Sequence, residues 1–184
     1  MSAYGLIVGL CWLALAAVWV VMAFSAKRTA RRSWDSMWVR LVIAAIVLLL
    51  FMAPGRYFAH LAVLQMGPVA GPLGVVLCAA GVTFAIWARL YLGHNWGMPM
   101  TLRKDHELVT TGPYAWVRHP IYSGVMLAML GTALVSPWWI LILVVFSTYY
   151  IYSAHQEEKL MLKEFPNAYP TYMRHTKRLI PWVY

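Results

Sequence analysis

The sequence predicts an all-α integral membrane protein: a single membrane domain over residues 1–184 with about five transmembrane helices, the last two a short hairpin leading into a cytosolic C-terminal tail. Three observations predict it. The chain is 62% hydrophobic, with a mean hydropathy of +0.64 and only 11% charged residues, too few to clothe a water-soluble domain. Its apolar residues form runs of a length that crosses a hydrocarbon core of ~30 Å at ~1.5 Å per residue. Its basic residues cluster in the connections between those runs.

The first run, Tyr4 to Phe24, carries no charge. Its length, and the absence of a basic residue ahead of it, make it a first membrane helix rather than a signal peptide. The polar stretch "SAKRTARRSWDSMWVR" follows, then a second apolar run from Leu41 to Ala53 closed by Pro54 to Arg56, so that Val39 to Phe58 spans. Residues 1–68 thus hold the first two helices. A third helix is expected from about Pro72 to Leu92, with Pro72 in its first turn and Arg89 close enough to the end to snorkel. Gly93 to Val117 is polar and rich in Gly, Pro and His. From Pro120 to Ala154 the chain is apolar again, broken at "SPWW", which divides it into two short helices and places Trp138 and Trp139 at the far interface. The tail, His155 to Tyr184, begins as a continuation of the last helix.

Charge sets the orientation. Lys27, Arg28, Arg31, Arg32 and Arg40 lie in the first connection; Arg89, Arg103, Lys104 and Arg118 flank the third; Lys159 through Arg178 lie in the tail. Only Arg56 falls on the other side, so the N-terminus is expected outside and the C-terminus in the cytosol, in the inner membrane if the source is prokaryotic. All six carboxylates and five of the six histidines then share the cytosolic face. The excess of 15 Lys+Arg over 6 Asp+Glu sits in short clusters rather than along one face, which favours a bilayer with anionic headgroups as partner and not nucleic acid. Cys11 and Cys78 lie in apolar runs without metal-type spacing and read as small core residues.

Several chemistries are excluded. His94, His106, His119 and His155 lack the i, i+3 or i, i+4 repeat that puts two metal ligands on one helix face, so no metal site is expected. No strands are expected, and "GPVAGPLG" at Gly67 to Gly74 has the wrong spacing and context for a dinucleotide loop. The nucleophile elbow "G-x-S-x-G" is missing. Polar groups concentrate instead in the third connection with the start of the fourth helix, and in the tail. On composition alone these serve equally as a headgroup-contacting surface, with Arg118 snorkelling and Tyr114, Tyr122, Tyr169 and Tyr172 in an aromatic belt.

"LVTTGPYAWVRHPIYSG" (108–124), followed by "EE" at Glu157 and Glu158, "F-x-x-x-Y-x-x-Y" from Phe165 to Tyr172 and the terminal "RLIPW", resembles the isoprenylcysteine carboxyl methyltransferase family, which shares motifs with phospholipid N-methyltransferases. The resemblance covers roughly Leu92 to Pro181. It implies a membrane enzyme that binds S-adenosylmethionine without a soluble nucleotide fold and methylates a lipophilic small-molecule or lipidated acceptor arriving from the bilayer, with residues 69–184 as the catalytic region. Carried over residue by residue, it implies that His119, Pro120, Tyr122, Gly124, Tyr114, Glu157 and Glu158 bind the cofactor, and that Arg118, Arg174 and His175 serve catalysis. Consecutive residues on a helix diverge by ~100°, so only one of the two glutamates is expected to face the cofactor. Gly124 admits either cofactor or a neighbouring helix. Two positions depart from the family pattern: Pro166 stands where glycine is usual, and His175 where an arginine is common. The departure at His175 weakens the expectation of a carboxylate acceptor. A thiol, phenol or amine would need a proton acceptor, for which His175, His119 or a glutamate are candidates. An NADPH-dependent membrane reductase of the sterol-reductase type, whose motif reads "RHxNY", and a non-catalytic scaffold are the alternatives.

Overall fold

A computed structural model describes residues 2–23, 29–32, 67–93, 101–103 and 107–184. Along these, α1 (Ala3–Ala23) is followed by β1 (Thr29–Arg32), α2 (Ala70–Leu92), β2 (Thr101–Arg103), a 3-10 turn (Gly112–Ala115), α3 (Pro120–Val135), α4 (Trp139–Glu164) and α5 (Ala168–His175). The expected span at 39–58, the basic residues Lys27, Arg28, Arg40, Arg56 and Lys104, and His94 and His106 lie outside the described residues. Ala3–Met22 and Ala70–Leu92 are long and apolar enough to cross a bilayer, and Pro120–Val135 is a shorter apolar helix.

Small residues decide how the helices meet. On α2, Gly74, Cys78, Gly81 and Ala85 recur at three- and four-residue spacing and face Gly131, Ala128 and Gly124 of α3, the pattern that lets helix backbones approach within a bilayer. A Cβ at Gly81 would stand 2.4 Å from Ala128 N and 2.5 Å from Gly124 O, and one at Gly124 2.7 Å from Ala85 N. With no lipid-excluding force available between helices, such backbone contact supplies the packing. Around it, Val8 and Leu15 of α1, Cys78, Val82 and Ala85 of α2, Val125, Ala128 and Met129 of α3 and Ile142 of α4 form the core. Trp12 of α1 donates from Nε1 to Thr132 Oγ1 at 3.0 Å and stacks on Trp139 at 6.0 Å.

Several expectations change. Arg89 does not snorkel: it is fully buried, and its guanidinium donates to Gly93 O and, across to α1, to Met22 O, each at 3.0 Å. Helix-terminal carbonyls lacking intrahelical donors attract a cation more strongly than a distant headgroup does. The expectation of no strands is corrected by the two-stranded antiparallel β1–β2 ribbon, in which Arg31 stands opposite Leu102 and Arg32 opposite Thr101. Its segments, TARR and TLR, have no alternating apolar pattern by which a strand announces itself. The second arm of the hairpin is not short: α4 runs 26 residues, continuing beyond its apolar part into the tail. Trp138 and Trp139 pack half-buried against the core. Cys78 is buried and Cys11 half-buried, both as free thiols.

The Arg89–Met22 contact joins the C-terminal ends of α1 and α2, so these helices run parallel, while α3 returns against α2. The C-terminal ends of α1, α2 and α4 and the N-terminal end of α3 therefore gather at one end of the bundle. The tail binds there too. Arg118 N donates to Lys177 O at 2.8 Å and His119 N to Arg178 O at 3.0 Å, with Val117 and Lys177 forming a parallel bridge.

Candidate active site

The motif opening the site is shaped by its Gly and Pro residues. Gly112 has φ 60°, a left-handed conformation, and a Cβ there would meet the Tyr91 ring at 2.6 Å. The 3-10 turn that follows buries Pro113 and Tyr114. Pro120 then starts α3 at a position where no amide hydrogen is needed. His119 is thereby held just ahead of α3 and Tyr122 in its first turn, facing the last turns of α4.

There the two glutamates part. Glu157 Oε1 accepts the Tyr122 hydroxyl at 2.5 Å, and its Oε2 lies 3.4 Å from His119 Nδ1. Glu158 is buried and bound by arginines: Oε1 accepts from Arg118 Nε at 2.8 Å and Arg178 Nε at 3.0 Å, and Oε2 from Arg178 Nη2 at 2.6 Å. Arg118 Nη1 donates to Thr176 O and to Met173 O, tying α3's entrance to the end of α5. Tyr172 donates to Tyr114 O at 2.5 Å, closing α5 over the 3-10 turn. His119 Nε2 lies 3.4 Å from Glu158 Oε1 in an ion-pair contact but, buried, makes no hydrogen bond among the described residues.

Charge follows from this geometry. Burial works against the imidazolium of His119, but Glu157 and Glu158 outweigh it and hold its pKa above the ordinary histidine value. Burial likewise works against an ionised Glu158, yet the close His119 imidazole and hydrogen bonds from Arg178 and Arg118 win and keep it well below the usual carboxylate range. Burial raises the phenols of Tyr114, Tyr169 and Tyr172, leaving them neutral donors.

These groups wall one end of a cavity of about 580 Å³. The polar end is lined by Glu107, Tyr114, Arg118, His119, Tyr122, Glu157, Tyr169 and Tyr172; the other end continues between Trp12, Leu15, Ala16 and Trp19 of α1, Val125 and Met129 of α3 and Phe146 of α4. His119, Tyr122 and Tyr150 stack in series along the wall, with centroids 5.5 and 4.6 Å apart.

Of the residues singled out in the sequence, the structure brings Arg118, His119, Pro120, Tyr122, Tyr114 and Glu157 to this cavity. Gly124 is instead spent on contact with α2, and Glu158 stands behind the wall. Arg174 and His175 are exposed and do not line the cavity, because the turns of α5 that face it present Tyr169 and Tyr172. The sequence reading missed Arg178, although it stands in the quoted "RLIPW", and Glu107 and Tyr150, which no motif marks.

A family profile described as phospholipid methyltransferase matches residues 69–168, more than half of the chain. The chain belongs to the phospholipid methyltransferase family. As a member of it, it is an integral membrane protein. Over 116 residues it is 31% identical to a protein-S-isoprenylcysteine O-methyltransferase of Tribolium castaneum, covering 60% of this chain and 41% of that protein. Over 114 residues it is 30% identical to the nickel-cobalt-cadmium resistance protein NccN of Alcaligenes xylosoxydans xylosoxydans, covering 60% and 48%. The chain thus spans less than half the length of these curated relatives. Its fold matches a solved eukaryotic intramembrane Ras methyltransferase, an isoprenylcysteine carboxyl methyltransferase, with a TM-score of 0.59 and 24% identity over 84% of this chain and 55% of that one.

Proposed function

We propose that this phospholipid methyltransferase family member transfers a methyl group from S-adenosylmethionine to a lipophilic acceptor. The observation that carries the reading is one cavity whose polar end holds carboxylates, cations and phenols and whose apolar end runs between membrane helices. Its volume lies within the ~300–1,000 Å³ typical of ligand pockets.

The residues fit the cofactor. Glu157 suits its ammonium or ribose hydroxyls, the aromatic rings of Tyr122 and Tyr150 offer flat walls, and Arg118 brings a guanidinium to the same end for its carboxylate. When bound, the cofactor supplies an electrophilic methyl on a sulfonium. The chain's part is positioning and dryness: Tyr122 and His119 fix Glu157, and Tyr169 and Tyr172 cap the polar end against water. Glu107 and Glu157 are the lining carboxylates available to accept a proton from an acceptor that carries one. The same carboxylates oppose a polyanionic dinucleotide, which disfavours the reductase alternative.

Orientation belongs to the same proposal. α1 and α2 run parallel, with their C-terminal ends on the side of the polar end of the cavity. This supports five spans, with the N-terminus outside and the polar end of the cavity facing the cytosol, in the inner membrane of a prokaryotic source and beside anionic headgroups.

The test is a series of amphiphilic acceptors of increasing tail length, assayed with labelled S-adenosylmethionine at fixed detergent. Each methylene buried in the apolar end contributes ~0.8 kcal/mol, about fourfold in kcat/KM, until the end is filled. Equal turnover of short and long homologues rules out lateral access.

A further inference from the structure

Arg178 lines no part of the cavity, yet three elements of the site meet through it. Its fork closes on Glu158, with Nε 3.0 Å from Oε1 and Nη2 2.6 Å from Oε2. Its remaining Nη1 is anchored in turn, 2.8 Å from His155 Nε2 and 2.7 Å from the Tyr184 hydroxyl. His155 Nδ1 lies 2.7 Å from Ile151 O, which fixes the tautomer with Nε2 as the acceptor for Arg178. Glu158 passes the constraint on to Arg118 Nε at 2.8 Å, and Arg118 Nη1 holds Met173 O and Thr176 O at the end of α5.

We propose that Arg178 is the positioning residue of the site: by holding Glu158 in a fork it sets Arg118, and through Arg118 it registers the α5 cap over the polar end of the cavity. Its consequence for ligand binding rests on the cofactor reading above; the mechanical relay does not.

The geometry makes Arg178 more than a tail anchor. Among the described residues, the hydrogen bond to Glu158 Oε2 comes from Arg178. Without that donor the carboxylate is free to turn toward His119 Nε2, 3.4 Å away and without a hydrogen bond. That movement draws the imidazole off Glu157 and loosens the grip on Arg118. A lysine in place of Arg178 supplies a charge but no fork, so it restores the relay only in part. The groups facing Glu158 are Arg118 and His119 ahead of α3, Arg178 from the tail, and Tyr169 and Tyr172 on α5, with Glu157 next to it in sequence but turned to the cavity. Removing one of the cations among them makes Glu158 easier to protonate, so binding that needs it ionised fails at a higher pH than in the parent.

The experiment uses the full chain in detergent, with R178Q, R178K and, as a surface-charge control, K163Q at an exposed position of α4. Hydrogen exchange of residues 168–175 is measured without ligand, and S-adenosylhomocysteine affinity across pH. R178Q is expected to speed exchange in α5 and weaken S-adenosylhomocysteine by about tenfold or more. R178K is expected to lie between R178Q and the parent on both readouts, and K163Q to behave like the parent. Exchange in α5 unchanged by R178Q overturns the relay, as does weakened binding with no recovery by lysine. If R178Q does not fold, R178K decides: α5 exchange faster than the parent supports the fork, and parent-like exchange overturns it. A parent that binds no S-adenosylhomocysteine defeats the cofactor reading, while exchange in α5 still judges Arg178.

Discussion

Glu157 and Glu158 are adjacent in sequence and opposite in role, so the same isosteric change should have different consequences at each. Glu157→Gln removes the charge from a group that accepts the Tyr122 hydroxyl at 2.5 Å, faces His119 and lines the cavity. Its side chain keeps 22% exposure, so the fold tolerates the amide. A ligand's charge-assisted hydrogen bond to it contributes ~1.5–3 kcal/mol, so S-adenosylhomocysteine affinity should fall by about tenfold to a hundredfold with little change in melting temperature. Glu158→Gln places an amide among Arg118 and Arg178, and its NH2 faces guanidinium donors wherever it turns. Breaking a buried ion pair costs ~3–5 kcal/mol; Arg178 is partly exposed at 15%, which argues for the lower end. At ~2–4 °C per kcal/mol for a chain of this size, the melting temperature should fall by roughly 6–12 °C. The assay is paired: melting curves of both variants in one detergent, and ligand affinity by calorimetry. Equal loss of stability in the two variants, or an E157Q protein that binds like the parent, would refute the division of labour.

Three further predictions concern pH and packing. His119 has a raised pKa in the folded chain, so its stabilising contribution is complete below the ordinary value of ~6.5 and is lost as pH rises through the raised one; melting temperature should decline on the alkaline side, and His119→Gln should flatten that decline. Glu158 has the opposite sign: its contribution is complete above the ordinary carboxylate value of ~4.3 and is lost progressively as pH falls from there toward the lowered one, so melting temperature should hold down to about pH 5 and decline below it. Gly81→Val puts side-chain atoms where a Cβ already meets Ala128 N at 2.4 Å, and backbone cannot step aside. Overpacking there should cost ~1–3 kcal/mol or more and, by moving the start of α3, weaken ligand binding as well.

The sequence made the parts that depend on regular periodicity legible. Long apolar runs announced α1 and α2, and Pro120, "SPWW" and the joined motifs placed α3, α4 and the polar end of the site. The ~100° step between neighbours correctly implied that Glu157 and Glu158 diverge, but sequence could not say which faces the cavity, since that depends on the rotation of α4 against α3. Arg89 was misread because burial of an arginine depends on carbonyls from another helix, Met22 in particular, and that partner is 67 residues away. Arg174 and His175 drew attention through their charge at a motif position, yet the short α5 turns its tyrosines inward. Arg178 escaped notice because its role arises from a tail that folds back across the "VRH" segment, a contact no local spacing encodes.

The central claim is that the polar end of the cavity is built for S-adenosylmethionine. It is tested most directly by the melting curve of the purified chain in detergent with saturating S-adenosylhomocysteine, against NADPH at the same concentration. Ligand at about a hundred times its dissociation constant stabilises a native state by ~2.7 kcal/mol, so the account predicts an upward shift of roughly 5–11 °C with S-adenosylhomocysteine and none with NADPH. A curve unmoved by S-adenosylhomocysteine, or moved by NADPH instead, would contradict it.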